Sequence, residues 1–181
     1  MKALISSSTL NVFTYNVDVY ICPAMKIEEE IHQTAFKSEN QKAAINILYT
    51  ANNMNMKSFH ILKEFGLTLP QFNILRILRG QHPNSTSINS LIDRMLDKAS
   101  NASRIVEKLR EKNLVVRTIN AIDRRSVDVK ITEAGLSILA KIDVVDEEFH
   151  FGTDSLSQAE VMMLNHLLDK GRKSIINFNN K

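Results

Sequence analysis

Two helical apolar stripes followed by a two-residue alternation run from Ile88 to Thr132, and that order of patterns organises the rest of the chain. Ile88, Leu91, Ile92, Met95 and Leu96 recur at the spacing of one buried helix face. Ser85, Thr86 and Ser87 stand just before them, each with a hydroxyl able to accept from an orphan N–H of the first turn. A second stripe, Ala102, Ile105, Val106 and Leu109, predicts another helix, whose other face shows Ser100, Asn101, Ser103, Arg104, Glu107, Lys108 and Glu111. Asn113 follows, a residue that tolerates the left-handed turn at a helix end. Leu114 to Ile119 is rich in branched residues, and Val127, Val129 and Ile131 alternate with Asp128 and Lys130 as in a half-buried strand. The loop between them, 120–126, carries Asp123, Arg124 and Arg125. Helix, turn, helix and a two-stranded ribbon predict a winged helix-turn-helix, a fold that sets one helix in the DNA major groove.

The flanks predict longer helices. Ser38 or Asn40 opens one through Ala44, Ile47, Leu48, Ala51, Met54, Phe59, Leu62 and Phe65, closed by Gly66 with Leu67 beyond. Thr68 with Gln71 makes a capping box for the next, with Pro70 in its first turn and Gly80 at its end. Thr132 can cap a helix running to about Phe149. Gly152 and Asp154 mark a turn, and Ser157 with Glu160 caps a last helix through Val161, Leu164, Leu168 and Ile175. Residues 1–24 mix Ser, Thr and Asn with scattered apolar positions and have neither helical nor secretory patterning. Met25 reads as a natural start, so the leader is expected to be an upstream extension outside the native protein, the alternative being an added strand or arm. The expected organisation is an irregular leader (1–24), N-terminal dimerisation helices (25–66), a winged domain (67–132) and C-terminal dimerisation helices (133–181). The fold class is mainly α with a small β-wing.

Charge sharpens this picture. From Asp93 to Lys130 there are ten Lys or Arg against six Asp or Glu, a balance of +4, whereas the whole chain of 181 residues is only +3. The excess therefore sits on the winged segment, where a polyanion would lie. A single cysteine, Cys22, excludes an internal disulfide framework, and no apolar run reaches membrane-spanning length. A cytoplasmic location and no membrane partner are expected. No phosphate-cradling glycine loop, nucleophile elbow, HExxH or zinc motif is present, so an enzyme is not expected. His32, His82, His150 and His166 lack metal-ligand spacing, and neither a metal nor a cofactor is expected.

The polar start of the second helix is the candidate reading surface. Ser100, Asn101, Ser103 and Arg104 are expected at base edges, because Arg can pair with guanine and Asn with adenine. Lys98 and Lys108 are expected on phosphates, setting register. The helices outside the winged domain carry more apolar surface than it can cover, and the simplest remedy is a twofold dimer. Two recognition helices would then meet successive major grooves of a pseudo-palindromic operator. The contrasting possibility is a winged helix used as a protein-interaction module without sequence-specific DNA binding.

The run from Asp123, Arg124, Arg125 through Val127, Val129 and Ile131 to Thr132, with Gly135 after it, resembles the wing signature of MarR-type (multiple antibiotic resistance regulator) transcription regulators. That signature is an Asp, two basic residues, a strand, Leu-Thr and then Gly. Leu109 to Arg117 is similar to the family's Leu-Glu-x-x-Gly-Leu-Val-x-Arg, with Asn113 in place of Gly, and Leu67 to Leu75 lies at the expected distance upstream. Ile131 replaces Leu. The resemblance implies a homodimer on double-stranded DNA, with repression the commoner outcome. It implies that Arg125 is held near Asp123 and that Arg124 reaches the backbone or minor groove. It also implies a small aromatic or lipophilic effector in a crevice, for which Met54, Phe59, His60, Phe65 and Phe72 are the candidate lining. A related branch senses peroxide through a cysteine near its first helix. Cys22 lies in the leader with no basic neighbour to lower its pKa, which argues against that role here.

Overall fold

The computed structural model describes residues 25–120, 126–149, 153 and 155–179. Its elements are α1 (Ile27–Glu30), α2 (Glu39–Glu64), α3 (Leu69–Arg79), β1 (Thr86–Ser87), α4 (Ile88–Arg94), α5 (Ala102–Glu111), β2 (Val115–Ile119), β3 (Val127–Ile131), α6 (Glu133–Phe149) and α7 (Gln158–Asn179). The mainly helical winged helix-turn-helix expected from the periodicities is present. The chain divides into two compact units, residues 1–46 and 47–181.

In the first unit, α1 is a single turn that the sequence pattern did not anticipate. Lys42 Nζ reaches Glu28 Oε1 at 2.6 Å, and the Ser38 hydroxyl accepts from Gln41 N at 3.2 Å to open α2.

In the second unit the turns do much of the positioning. Gly66, at φ +64°, closes α2: its N–H donates to Lys63 O at 3.0 Å, and Leu67 N donates to Leu62 O at 2.9 Å. Asn113, at φ +60°, closes α5 in the same way, with Asn113 N on Arg110 O at 2.9 Å and Leu114 N on Leu109 O at 3.0 Å. Both are Schellman caps, and in each the apolar residue beyond the cap, Leu67 or Leu114, is buried against the core. Thr68 and Gln71 form the expected reciprocal capping box at the start of α3. Lys112 joins these two corners, its ammonium donating to Gly66 O and, at 3.1 Å, to Gln71 Oε1.

The sheet has the order β1-β3-β2, antiparallel throughout, with Val115 opposite Ile131 and Ile119 opposite Val127. β1 was not expected. Thr86 and Ser87 pair with Val129 and Asp128 before Ser87 caps α4, accepting from Ser90 N at 3.2 Å. One correction concerns α4 itself. Met95 turns into extended backbone (φ −66°, ψ 142°), which ends the helix at Arg94, short of Leu96. Met95 still reaches the core, but Leu96, expected on the buried face, is 84% exposed.

The core is built on Ile74, Leu75, Leu78, Leu91, Val106, Leu109, Val115, Val129, Leu139 and Ile142, all essentially inaccessible to water. It crosses the expected boundaries at 66/67 and 132/133, because Leu62 of α2 and Leu139 and Ile142 of α6 belong to the same cluster as the winged domain. Arg79 of α3 and Asp143 of α6 form a two-pronged ion pair at the edge of that contact.

The corner from β3 into α6 is tightly fitted. Thr132 N donates to Leu114 O at 3.1 Å, the Thr132 hydroxyl donates to Asn113 O at 2.8 Å, and the same oxygen accepts from Gly135 N at 3.1 Å. A Cβ on Gly135 would overlap the Leu114 carbonyl oxygen and stand 2.6 Å from Ile131 Cγ1. Gly135→Ala is therefore expected to cost about 1–3 kcal/mol through overpacking. Gly171→Ala, where nothing lies within 4 Å of the new methyl, should gain up to about 1 kcal/mol of helix propensity. Urea unfolding of the two variants measures the contrast, and equal midpoints would contradict it.

Candidate nucleic-acid interface

α4, the turn 95–101 and α5 form the helix-turn-helix. The turn is held from outside itself: Asn73 Oδ1 of α3 accepts from Leu96 N at 3.1 Å. It is also held from within. The Asp97 carboxylate accepts from Ala99 N at 2.9 Å and from the Ser100 hydroxyl at 2.6 Å, and these bonds, the hydroxyl first, hold its carboxyl below the usual range. Asn101 then caps α5, its side-chain oxygen accepting from Arg104 N at 3.0 Å.

These bonds add a structural part to residues expected at base edges. The side-chain oxygen of Asn101 spends one of its two lone pairs on the cap. The Ser100 proton is given to Asp97. Asn101 and Ser100 thus shape the helix start. Ser103 and Arg104 are exposed on the first turn, and among the described residues neither side chain is hydrogen-bonded or ion-paired. Lys98 is exposed on the turn. Lys108 is exposed but shares its ammonium with Glu111 Oε2 at 2.9 Å, within the helix. Asp123, Arg124 and Arg125 lie outside the described residues, as does Cys22.

The structure sets beside Ser103 further residues that the sequence pattern did not mark as a site. Ser87, Asn89, Ser103, Arg117 and Ser126 surround a hollow of about 250 Å³ between the start of α4, the flank of α5 and the wing. Arg117, on β2, enters it from the sheet. Its Nη1 donates to Glu107 Oε2 at 2.8 Å, while Glu107 Oε1 accepts from Arg110 Nη2 at 2.6 Å and Nε at 3.0 Å. The signal for Arg117 was present in the Leu-Val-x-Arg run. Nothing in the sequence marks its pairing with Glu107, ten residues earlier.

The five residues expected to line an effector crevice are not alike. Phe72 is buried in the core with the Arg76 guanidinium 5.7 Å from its ring, and Phe65 packs against the same core. Phe59 is 54% exposed and meets the exposed His60 ring edge-on at 5.7 Å between centroids. Met54 is half-buried. Phe65 and Phe72 are thus core residues, placed inside by the Schellman cap at Gly66 and the α3 stripe. Among the described residues no helix is long and apolar enough to cross a membrane.

The two arginines, Arg110 first and then Arg117, pull the Glu107 carboxyl down to about 2 from its ordinary 4.5. A carboxyl depressed on folding contributes stability that is present above about 4.5 and is lost as pH falls toward about 2. Side-chain NMR titration should place the midpoint there, and Arg110→Ala should raise it more than Arg117→Ala. A midpoint at the ordinary value would show that the pairing does not hold in solution.

The MarR family model matches residues 67–127, from the Schellman cap before α3 to the first residue of β3. The HTH-type transcriptional repressor IacR of Pseudomonas putida is 30% identical over 110 residues, 60% of this chain and 65% of that protein, just under two thirds of its length. The HTH-type transcriptional regulator MgrA of Staphylococcus aureus is 25% identical over 138 residues, 76% of this chain and 86% of that protein. Among solved structures, a Cys-to-Ser variant of MarR from E. coli complexed with operator DNA matches with a TM-score of 0.63 at 24% identity, covering 73% of this chain and 94% of that one. The capped helix α5 and the strand β2 lie within the segment that matches the MarR family model, the corner at Thr132 and Gly135 lies just beyond it, and over this segment the chain is similar to MarR-family regulators.

Proposed function

We propose that this protein is a sequence-specific transcriptional regulator that binds a pseudo-palindromic operator as a homodimer and represses from it. The observation that carries this reading is the unengaged pair Ser103 and Arg104 on the exposed first turn of α5, beside a hollow that Arg117 enters. A guanidinium free of partners can take both acceptors of a guanine edge in the major groove. Lys98 stands where a phosphate would set register. By family likeness, Asp123 and Arg125 shape the wing tip and Arg124 reaches the backbone or minor groove.

The homodimer is supported by apolar side chains left in water. On α2 these include Leu48, 71% exposed, with Met56 and Phe59; on α7 they include Met162, Met163, Leu164, Leu167 and Ile175. A monomer rarely leaves so many large apolar groups uncovered on two helices. A twofold interface would cover them and place two copies of α5 about one DNA turn apart. The relatives described as a repressor and a regulator of the HTH type favour the same reading.

Selection of bound sequences from a random duplex pool tests this directly. The expected product is a pseudo-palindrome with half-sites about 10 bp apart. Arg104→Ala should relax one position in each half-site, at a cost of about 1–3 kcal/mol. A protein that enriches no sequence at any salt concentration would not be the regulator described. Sedimentation should give twice the chain mass, and a monomer at micromolar concentration would remove the dimer.

A further inference from the structure

Glu107 is an acid on a helix that must meet a polyanion. Three features explain its presence there. It sits with Ser103 and Arg110 at i, i+4 and i+7, which puts all three on one flank of α5, and Ser103 and Arg110 each line a hollow that also contains Arg117 of the wing. Each of its oxygens is bound by an arginine from a different element, Arg110 of α5 on Oε1 and Arg117 of β2 on Oε2. The engagement of the two arginines is unequal. Arg110 spends two donors, Nε and Nη2, whereas Arg117 spends only Nη1 among the described residues. A guanidinium offers five donors in a rigid fork, so Arg117 keeps its Nε and Nη2 edges for another anion while Glu107 holds its plane.

We propose that Glu107 is a positioning residue for the DNA interface: it clamps Arg117 of the wing to the recognition helix, so that the free edge of Arg117 takes one operator phosphate at the hollow beside Ser103. The clamp fixes the spacing between wing and helix, and a phosphate fits it only when α5 is seated in the groove. It also withholds charge. The trio Glu107, Arg110 and Arg117 carries +1 rather than +2, which restrains binding to any DNA regardless of sequence. A loose Arg117 would follow phosphates wherever they lie; a clamped one accepts them in one register. This inference rests on the DNA-binding reading above, and it adds a residue that raises specificity by lowering indiscriminate affinity.

The test is fluorescence anisotropy with the selected operator duplex and a scrambled duplex of the same length, across a series of salt concentrations, with thermal melts as controls. Glu107→Gln should bind the scrambled duplex more tightly, steepen its log–log salt slope by about 0.9 for one additional phosphate neutralised, and lower the operator-to-scrambled ratio by about tenfold. Arg117→Ala should make the operator slope shallower by about 0.9. On that background Glu107→Gln should no longer change the ratio, since the two act as one unit. Arg117→Lys, which keeps the charge but not the fork, should not restore the wild-type ratio. If Glu107→Gln lowers only the melting temperature, leaving slopes and ratio as in wild type, Glu107 is a structural ion-pair residue and the inference fails while the regulator reading stands. If the wild-type protein itself does not prefer the operator, both fall.

Discussion

The backbone at Asn113 and Leu114 is the point from which the rest of the winged domain is hung. Asn113 must turn left-handed to end α5, and its carbonyl is then taken by the Thr132 hydroxyl. The Leu114 carbonyl accepts from Thr132 N, so the residue that leaves the recognition helix is also the residue that receives the end of the wing. Gly135 has to lack a side chain because Leu114 O and Ile131 already occupy that space. Three elements, α5, β3 and α6, thus meet at a single peptide corner. The corner explains in physical terms why a Thr and a Gly three residues apart follow the wing. The Thr spends one oxygen on the loop and on the cap of α6, and the Gly lets the helix approach.

Electrostatics around α5 and the wing strand is arranged more by placement than by strength. Surface ion pairs contribute little to stability, and those of Glu107 with Arg110 and Arg117 are largely solvated. Their consequence is geometric: one carboxylate joins the recognition helix to the wing strand. Asp97 acts comparably on the turn, where it ties Ser100 and Ala99 and leaves Asn101 to cap the helix. Two acids therefore stand around α5, and both are occupied with orienting their neighbours. Arg104 has no such partner among the described residues.

The apolar pattern of the long helices divides between two destinations. Leu62 of α2 and Leu139 and Ile142 of α6 enter the core of the winged domain. Leu48, Met56 and Phe59 on α2, and most apolar residues of α7, remain in water within one chain. α2 thus serves the core at its C-terminal end and leaves apolar side chains exposed along the rest of its length. Lys112, bound to both Gly66 O and Gln71, sits where α2 gives way to α3.

Much of this was legible in one dimension because the signals were local. Helical and strand periods, the capping box at Thr68 and Gln71, the left-handed positions Gly66 and Asn113 and the Thr132 cap each depend on residues a few positions apart, and each formed as its chemistry required. Asn101 and Ser100 were placed at the right end of the right helix. Their hydrogen-bond partners, Arg104 N for Asn101 and Asp97 for Ser100, were set by the fold of the turn. Leu96 satisfied the helical period and still went to solvent, because the chain left the helix at Met95, with Asn73 from another helix receiving the next N–H. β1 is too short to have a period at all. The sequence by itself determined the order of elements and the sites of their ends, since caps and stripes are short-range. Only the tertiary structure decided that Phe65 and Phe72 lie in the core, that Arg117 meets Glu107 and that Gly135 meets Leu114, because each depends on two elements packed at a distance no local pattern encodes.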